Sequence, residues 1–125
     1  MLGYERVTPI LRMFDVERTK AFYTNFLGGK IDWEHRFEPE LPLYMQVSLG
    51  DVRLHLSEHY GDASPGAAVR IEVSDIIALH QGLISQSAPF SRPGLERTSW
   101  GTEEVTVTDP SGNRLVFYID LESES

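Results

Sequence analysis

Four histidines, His35, His55, His59 and His80, are the only imidazoles in a chain that has no cysteine. Any metal-binding or nucleophilic chemistry must therefore be assembled from them and from Asp, Glu and Ser. His35, His59 and His80 fall in or near loops or on a helix surface and are assigned no role. His55 stands in the alternating run Leu54-His55-Leu56, where a strand would give it a defined face. No Ser-His-Asp set or carboxylate pair can be defended, because spacing alone does not bring Glu72 and Glu104 within catalytic reach. Catalytic residues are accordingly expected to be none. The chain does offer aromatic surface in Trp33, Phe37, Tyr44 and Trp100. Such side chains can sandwich a flat heteroaromatic ring, and Glu38, Glu40, Glu103 and Glu104 could hold its cationic end. The alternative reading of Trp33, Phe37 and Tyr44 is as rim residues packed on a partner subunit.

The 125 residues carry a formal charge of −8 with two lysines and scattered arginines, which argues against nucleic acid as a partner. Solubility is the simplest use of that charge, and a cationic small ligand would be attracted by it. Lack of cysteine excludes disulfides, zinc-thiolate sites and thiol nucleophiles, and suits a reducing, cytoplasmic setting. Residues 1–8 carry Glu5 and Arg6 and no apolar segment, and no run approaches the ~20 apolar residues that span a bilayer. Neither export nor membrane insertion is expected.

The elements that would position these side chains come in two similar sets. Val7 to Phe14 alternates as a strand with one core face. Asp15 then caps a helix from Val16 to Leu27 that Gly28-Gly29 ends. Strands follow over Lys30–Phe37, Leu43–Leu49 and Val52–Ser57, the last two joined by a Gly50-Asp51 hairpin turn. Residues 60–66 form a polar linker, after which the pattern restarts. Val69, Ile71 and Val73 alternate, and Asp75, 60 residues after Asp15, caps a helix over Ile76–Ser87 with Ile77, Leu79, Leu83 and Ile84 buried. Strands at Val105–Val107 and Leu115–Ile119 flank the turn Asp109-Pro110-Ser111-Gly112-Asn113, whose Pro, Gly and Asn suit turn backbone. The expected fold is α+β: one domain over 1–125, made of two βαβββ modules, 1–59 and 67–125, in a curled mixed sheet with helices on the outer face.

Three segments carry a family resemblance: Asp15 to Tyr23 with Leu27-Gly28, Leu54 to His59, and Trp100-Gly101 leading to Asp109 to Phe117. Together they resemble the vicinal oxygen chelate superfamily, which holds glyoxalases, extradiol dioxygenases, fosfomycin-resistance transferases and bleomycin-resistance proteins. The Trp-Gly pair with the Asp-Pro-x-Gly-Asn turn is most similar to the bleomycin-resistance branch. The resemblance implies that strand faces opposite the core line a cavity, which would turn Tyr44, Gln46, His55, Glu104 and Tyr118 toward a ligand. It also implies metal positions on the first and last strands of each half. Counting back seven residues from each capping Asp gives Thr8 and Ala68, and the last strands give Val116 and His55, or Leu54 if the count starts from the Gly50 turn. At best one of the four can coordinate, so no metal and no cofactor are expected, and His55 reads as a hydrogen-bonding wall residue.

These features imply a metal-free protein that sequesters a cationic aromatic compound such as a bleomycin-type antibiotic. Its ligand-binding residues would be Trp33, Phe37, Tyr44, Gln46, His55, Trp100, Glu104 and Tyr118. In the branch it resembles, the drug lies unaltered in grooves at a dimer interface, to which the residue matching Trp100 contributes. A homodimer is therefore expected, and Pro9, which lacks the N–H a central strand would use, fits an N-terminal segment that crosses to the partner. One alternative is a glyoxalase- or dioxygenase-type enzyme with His55, Glu72 and Glu104 as metal ligands. Another is a partner-binding module with a vestigial cavity.

Overall fold

Asp15 and Asp75 start their helices by the same device. Each accepts a 3.0 Å hydrogen bond at Oδ1 from the backbone N–H three residues on, Arg18 and Ala78 respectively, a cap that stabilises a helix by about 1 kcal/mol. The computed structural model describes residues 2–86 and 90–121. Its elements are β1 (Ile10–Arg12), α1 (Val16–Ala21) widening into a π turn (Phe22–Phe26), β2 (Lys30–His35), β3 (Tyr44–Leu49), β4 (Val52–Ser57), β5 (Ala68–Glu72), α2 (Ile76–Ile84), β6 (Glu96–Arg97), β7 (Thr102–Thr108) and β8 (Arg114–Asp120). Two four-stranded mixed sheets result, with the matching orders β1-β4-β3-β2 and β5-β8-β7-β6. In each, the first strand lies parallel to the last and the remaining pairs are antiparallel. The α+β fold expected from the sequence is the fold observed, its mixed sheet divided into two open halves.

Register makes the duplication quantitative. Ile10 and Arg70 each precede their capping Asp by five residues, and they pair with His55 and Val116. His55 is thus the counterpart of Val116, which removes the Leu54 alternative. Leu54 is fully buried in the core.

Several details differ from the sequence reading, three of them for a local reason; the expected end of the second helix, Ser87, lies outside the described residues. β1 begins at Ile10 because Pro9 has no N–H to donate; only its carbonyl joins the ladder, accepting from His55 N at 2.9 Å. The first helix does not stay α to Leu27. With Phe22, Tyr23 and Phe26 all buried, the wider π turn brings side chains at i, i+1 and i+4 onto one face, and Gly28 ends it at φ +77°. On α2 the buried positions are Ile76 and Leu83, with Leu79 packed beside them, whereas Ile77 is exposed. Spacing of 3 and 7 from the first helical residue selects that stripe, and Ile77 lies about 100° around from it.

One core cluster draws on both sheets and both helices, with Phe22 edge-on to Tyr23 and Phe90. Burial of each large apolar side chain there contributes roughly 1.5–3 kcal/mol. A polar clasp crosses this core. The Tyr23 hydroxyl and Asn113 Nδ2 both donate to Asp109 Oδ2, at 2.7 and 2.9 Å, and Asn113 Nδ2 also reaches the carbonyl of Arg12. The Asp109–Asn113 turn thereby ties the second half to α1 and β1. Its counterpart is the shorter Gly50-Asp51 turn, and clefts of about 530 and 490 Å³ lie beside it, both lined by Asp51, Val52, Ile71 and Glu72.

Candidate functional site

Strict alternation along β2 would put Ile31, Trp33 and His35 on one face. Pairing with β3 shows a bulge instead: Ile31 lies opposite Val47 and Trp33 opposite Gln46, leaving Asp32 as an extra residue. Val47 is core and Gln46 is not, so the bulge keeps Ile31 packed inward and turns Trp33 to the opposite face. Asp32 joins it there, because its Oδ2 accepts from Gln46 Nε2 at 2.9 Å and from Ser48 Oγ. Glu34 is sent to the helix side, where it pairs with Lys20 at 3.0 Å.

The wall so formed is continuous. Trp33 and Tyr44 are stacked with centroids 6.0 Å apart and planes within 10°, and His55 stands edge-on to both, at 5.3 and 5.1 Å. Tyr44 Oη lies 2.7 Å from His55 Nδ1, and His55 Nε2 lies 3.0 Å from Gln46 Oε1. Hydrogen bonds from Ser48 and Gln46 lower the Asp32 pKa, so the group is a carboxylate. Desolvation lowers that of His55, which is neutral at pH 7, and raises that of Tyr44.

The remaining expected site residues fall elsewhere. Phe37 lies past the end of β2, 75 % exposed, edge-on to His35. Trp100 is 70 % exposed in the loop before β7 and stacks on no aromatic among the described residues. Glu104 and Tyr118 pair across β7 and β8 and belong to a second cluster. There Arg70 donates to Glu104 Oε2 at 2.9 Å and its guanidinium lies 4.3 Å over the Tyr118 ring, while Thr102 also donates to Glu104. Arg70 and Thr102 lower the Glu104 pKa and satisfy the charge that was expected to face a cationic ligand. Asp32 is the polar residue that the sequence reading missed; Ser48 and Arg70 were expected on the cavity face by strand parity, without a binding role. A β2 segment whose alternation would put both Ile31 and Trp33 on the core face was the available signal.

The donor set does not fit a metal of the kind glyoxalases and dioxygenases use. Ala68 and Val116 have no donor atom and Thr8 has only a hydroxyl. Both ring nitrogens of His55 are already in hydrogen bonds. Among the described residues, no three of His, Asp and Glu gather at metal-holding distance, and Glu104 is bound to Arg70 instead.

Residues 1–124 match a family described as glyoxalase superfamily protein. The chain belongs to the glyoxalase superfamily. No curated protein sequence matches it. Among solved structures, this superfamily member is similar to a bleomycin-binding protein from the bleomycin producer Streptomyces verticillus, complexed with copper(II)-bleomycin. That match has 30 % identity and a TM-score of 0.67, and covers 98 % of this chain and 100 % of the other. An antibiotic binding protein from a Streptomyces species shares its fold at 20 % identity and a TM-score of 0.74, covering 96 % and 99 %. So does a glyoxalase-related enzyme from Clostridium phytofermentans, at 18 % identity and a TM-score of 0.77, covering 96 % and 98 %. No helix among the described residues is long and apolar enough to cross a membrane.

Proposed function

We propose that this protein binds a cationic, ring-bearing small molecule on the wall of its first half and holds it unaltered, with bleomycin-type antibiotics as the named candidate. One observation carries the reading: the Trp33–Tyr44–His55 aromatic group adjoins a carboxylate, Asp32, that has no ion-pair partner among the described residues. Lys30 and Arg53 act on it only from a distance. Oδ1 of Asp32 accepts nothing from the described residues, so it is left to meet a ligand cation while the rings meet its flat part. The likeness to a bleomycin-binding protein at 30 % identity supports the drug class. Phe37 and Trp100, exposed on loops, are proposed to close over the ligand, and Glu104 and Tyr118 to form the far rim.

The working unit is proposed to be a homodimer. Leu2, Tyr4 and Val7 lie 83–94 % exposed on a segment that leaves the sheet at Pro9, an apolar arm suited to a second copy. Light scattering on the full chain should give a dimer and deletion of residues 1–8 a monomer; a monomeric full chain overturns the dimer. Isothermal titration with bleomycin tests the ligand. Low-micromolar or tighter binding, weakened at least about ten-fold (~1.4 kcal/mol) by Trp33→Ala, is the expected result. No heat at high micromolar bleomycin removes the drug-sequestering reading.

A further inference from the structure

The hydrogen bonds of the wall run in one direction, and Asp32 sets it. As a carboxylate, Asp32 can only accept, so the Gln46 amide must turn its NH₂ toward it and its Oε1 toward His55. His55 then has to donate from Nε2, which leaves Nδ1 bare to accept from the Tyr44 hydroxyl. The protons step Tyr44 to His55 to Gln46 to Asp32, three bonds of 2.7, 3.0 and 2.9 Å ending on a charge. Such chains strengthen one another, because each donor that gives up its proton more fully becomes a better acceptor behind.

We infer that Asp32, acting through Gln46 and His55, fixes Tyr44 Oη as a hydrogen-bond acceptor, so the site selects planar cations that carry an N–H or O–H donor at the ring edge. This rests on the proposed binding role of the wall for its ligand, but the direction of the chain does not. Tyr44 has spent its only proton on His55 and keeps its lone pairs for the ligand. The oxygen sits on a ring stacked with Trp33, so a ligand ring on that platform brings its edge past it. Asp32, Gln46 and His55 are positioning residues here; Tyr44 makes the contact. The second half has no such chain, since Glu104 takes the place of Tyr44 and Val116 that of His55.

Two measurements test this. Nitrogen-15 NMR of the free protein should show His55 protonated on Nε2 and bare on Nδ1. A proton on Nδ1 overturns the chain whatever binds. The second compares two planar acridinium dyes, proflavine, with free amino groups and a ring N–H, and 10-methylacridine orange, whose amino groups and ring nitrogen are all methylated so that it is a cation with no N–H. Native protein should bind proflavine at least about ten-fold tighter (~1.4 kcal/mol). Tyr44→Phe, which keeps the ring stack, should bring the ratio near one, and Asp32→Asn should lower it. Equal binding of both dyes by native protein overturns the selectivity and leaves the binding role intact. Binding of neither removes the binding role, and the selectivity with it.

Discussion

Tyr23 Oη donates a 2.7 Å hydrogen bond to the Asp109 carboxylate, joining residues 86 apart in sequence and tying the first helix to the last hairpin. Asp109 also receives the backbone N–H groups of Ser111 and Asn113. Tyr23→Phe keeps the packing and removes one donor to a buried carboxylate, so urea unfolding should show a loss of about 1.5–3 kcal/mol.

The same hydroxyl sets an alkaline limit. Burial, with Asp109 beside it, raises the Tyr23 pKa well above 10.0. The unfolded chain releases this proton more readily than the folded one, so the contribution is whole below pH 10 and is lost as pH rises from there. Melting temperature should fall above pH 10, and Tyr23→Phe should flatten that fall.

Gly29 is required for space. A Cβ there would lie 2.5 Å from the Ser48 carbonyl oxygen and 2.9 Å from that of Tyr23. Backbone atoms on both sides leave nothing flexible to yield, so Gly29→Ala should destabilise by about 1–3 kcal/mol in the same assay.

The two candidate counter-charges separate by mutation. Glu104→Gln should leave bleomycin affinity within about two-fold, because Arg70 already neutralises that charge. Asp32→Asn should weaken it at least about ten-fold (~1.4 kcal/mol). The reverse order, read by titration, would move the cation site to the second half.

Mild acid should loosen the wall. Desolvation holds the His55 pKa below 6.5, so the unfolded chain takes up the proton first. Its stabilising share is whole above pH 6.5 and is lost as pH falls toward the folded value. Asp32 and Glu104, both lowered, keep theirs until pH drops below 3.8 and 4.5 respectively. Melting temperature should therefore decline between pH 7 and 5, less so in His55→Gln.

What the sequence disclosed followed from periodicity. Alternation in β3, β4, β7 and β8 and the paired caps Asp15 and Asp75 led to the α+β duplication, and parity turned Tyr44, Gln46 and His55 to one face. Asp32 stayed hidden because a bulge adds a residue without changing composition, so counting along Lys30–His35 gives the wrong face beyond Ile31. The role of Glu104 stayed hidden for another reason. Arg70 lies 34 residues away, and only the order of strands in the second sheet brings the two charges together.

The reach of the Asp109–Asn113 turn has a consequence for how the molecule is made. Asn113 holds the carbonyl of Arg12 from 101 residues downstream, and Asp109 completes the hydrogen bonding of Tyr23. On the ribosome, the amino-terminal half would emerge with a buried hydroxyl and a strand carbonyl still waiting for partners not yet translated. Its final packing therefore waits on distant sequence, and the nascent half must survive with those groups solvated until the Asp109–Asn113 turn has been released.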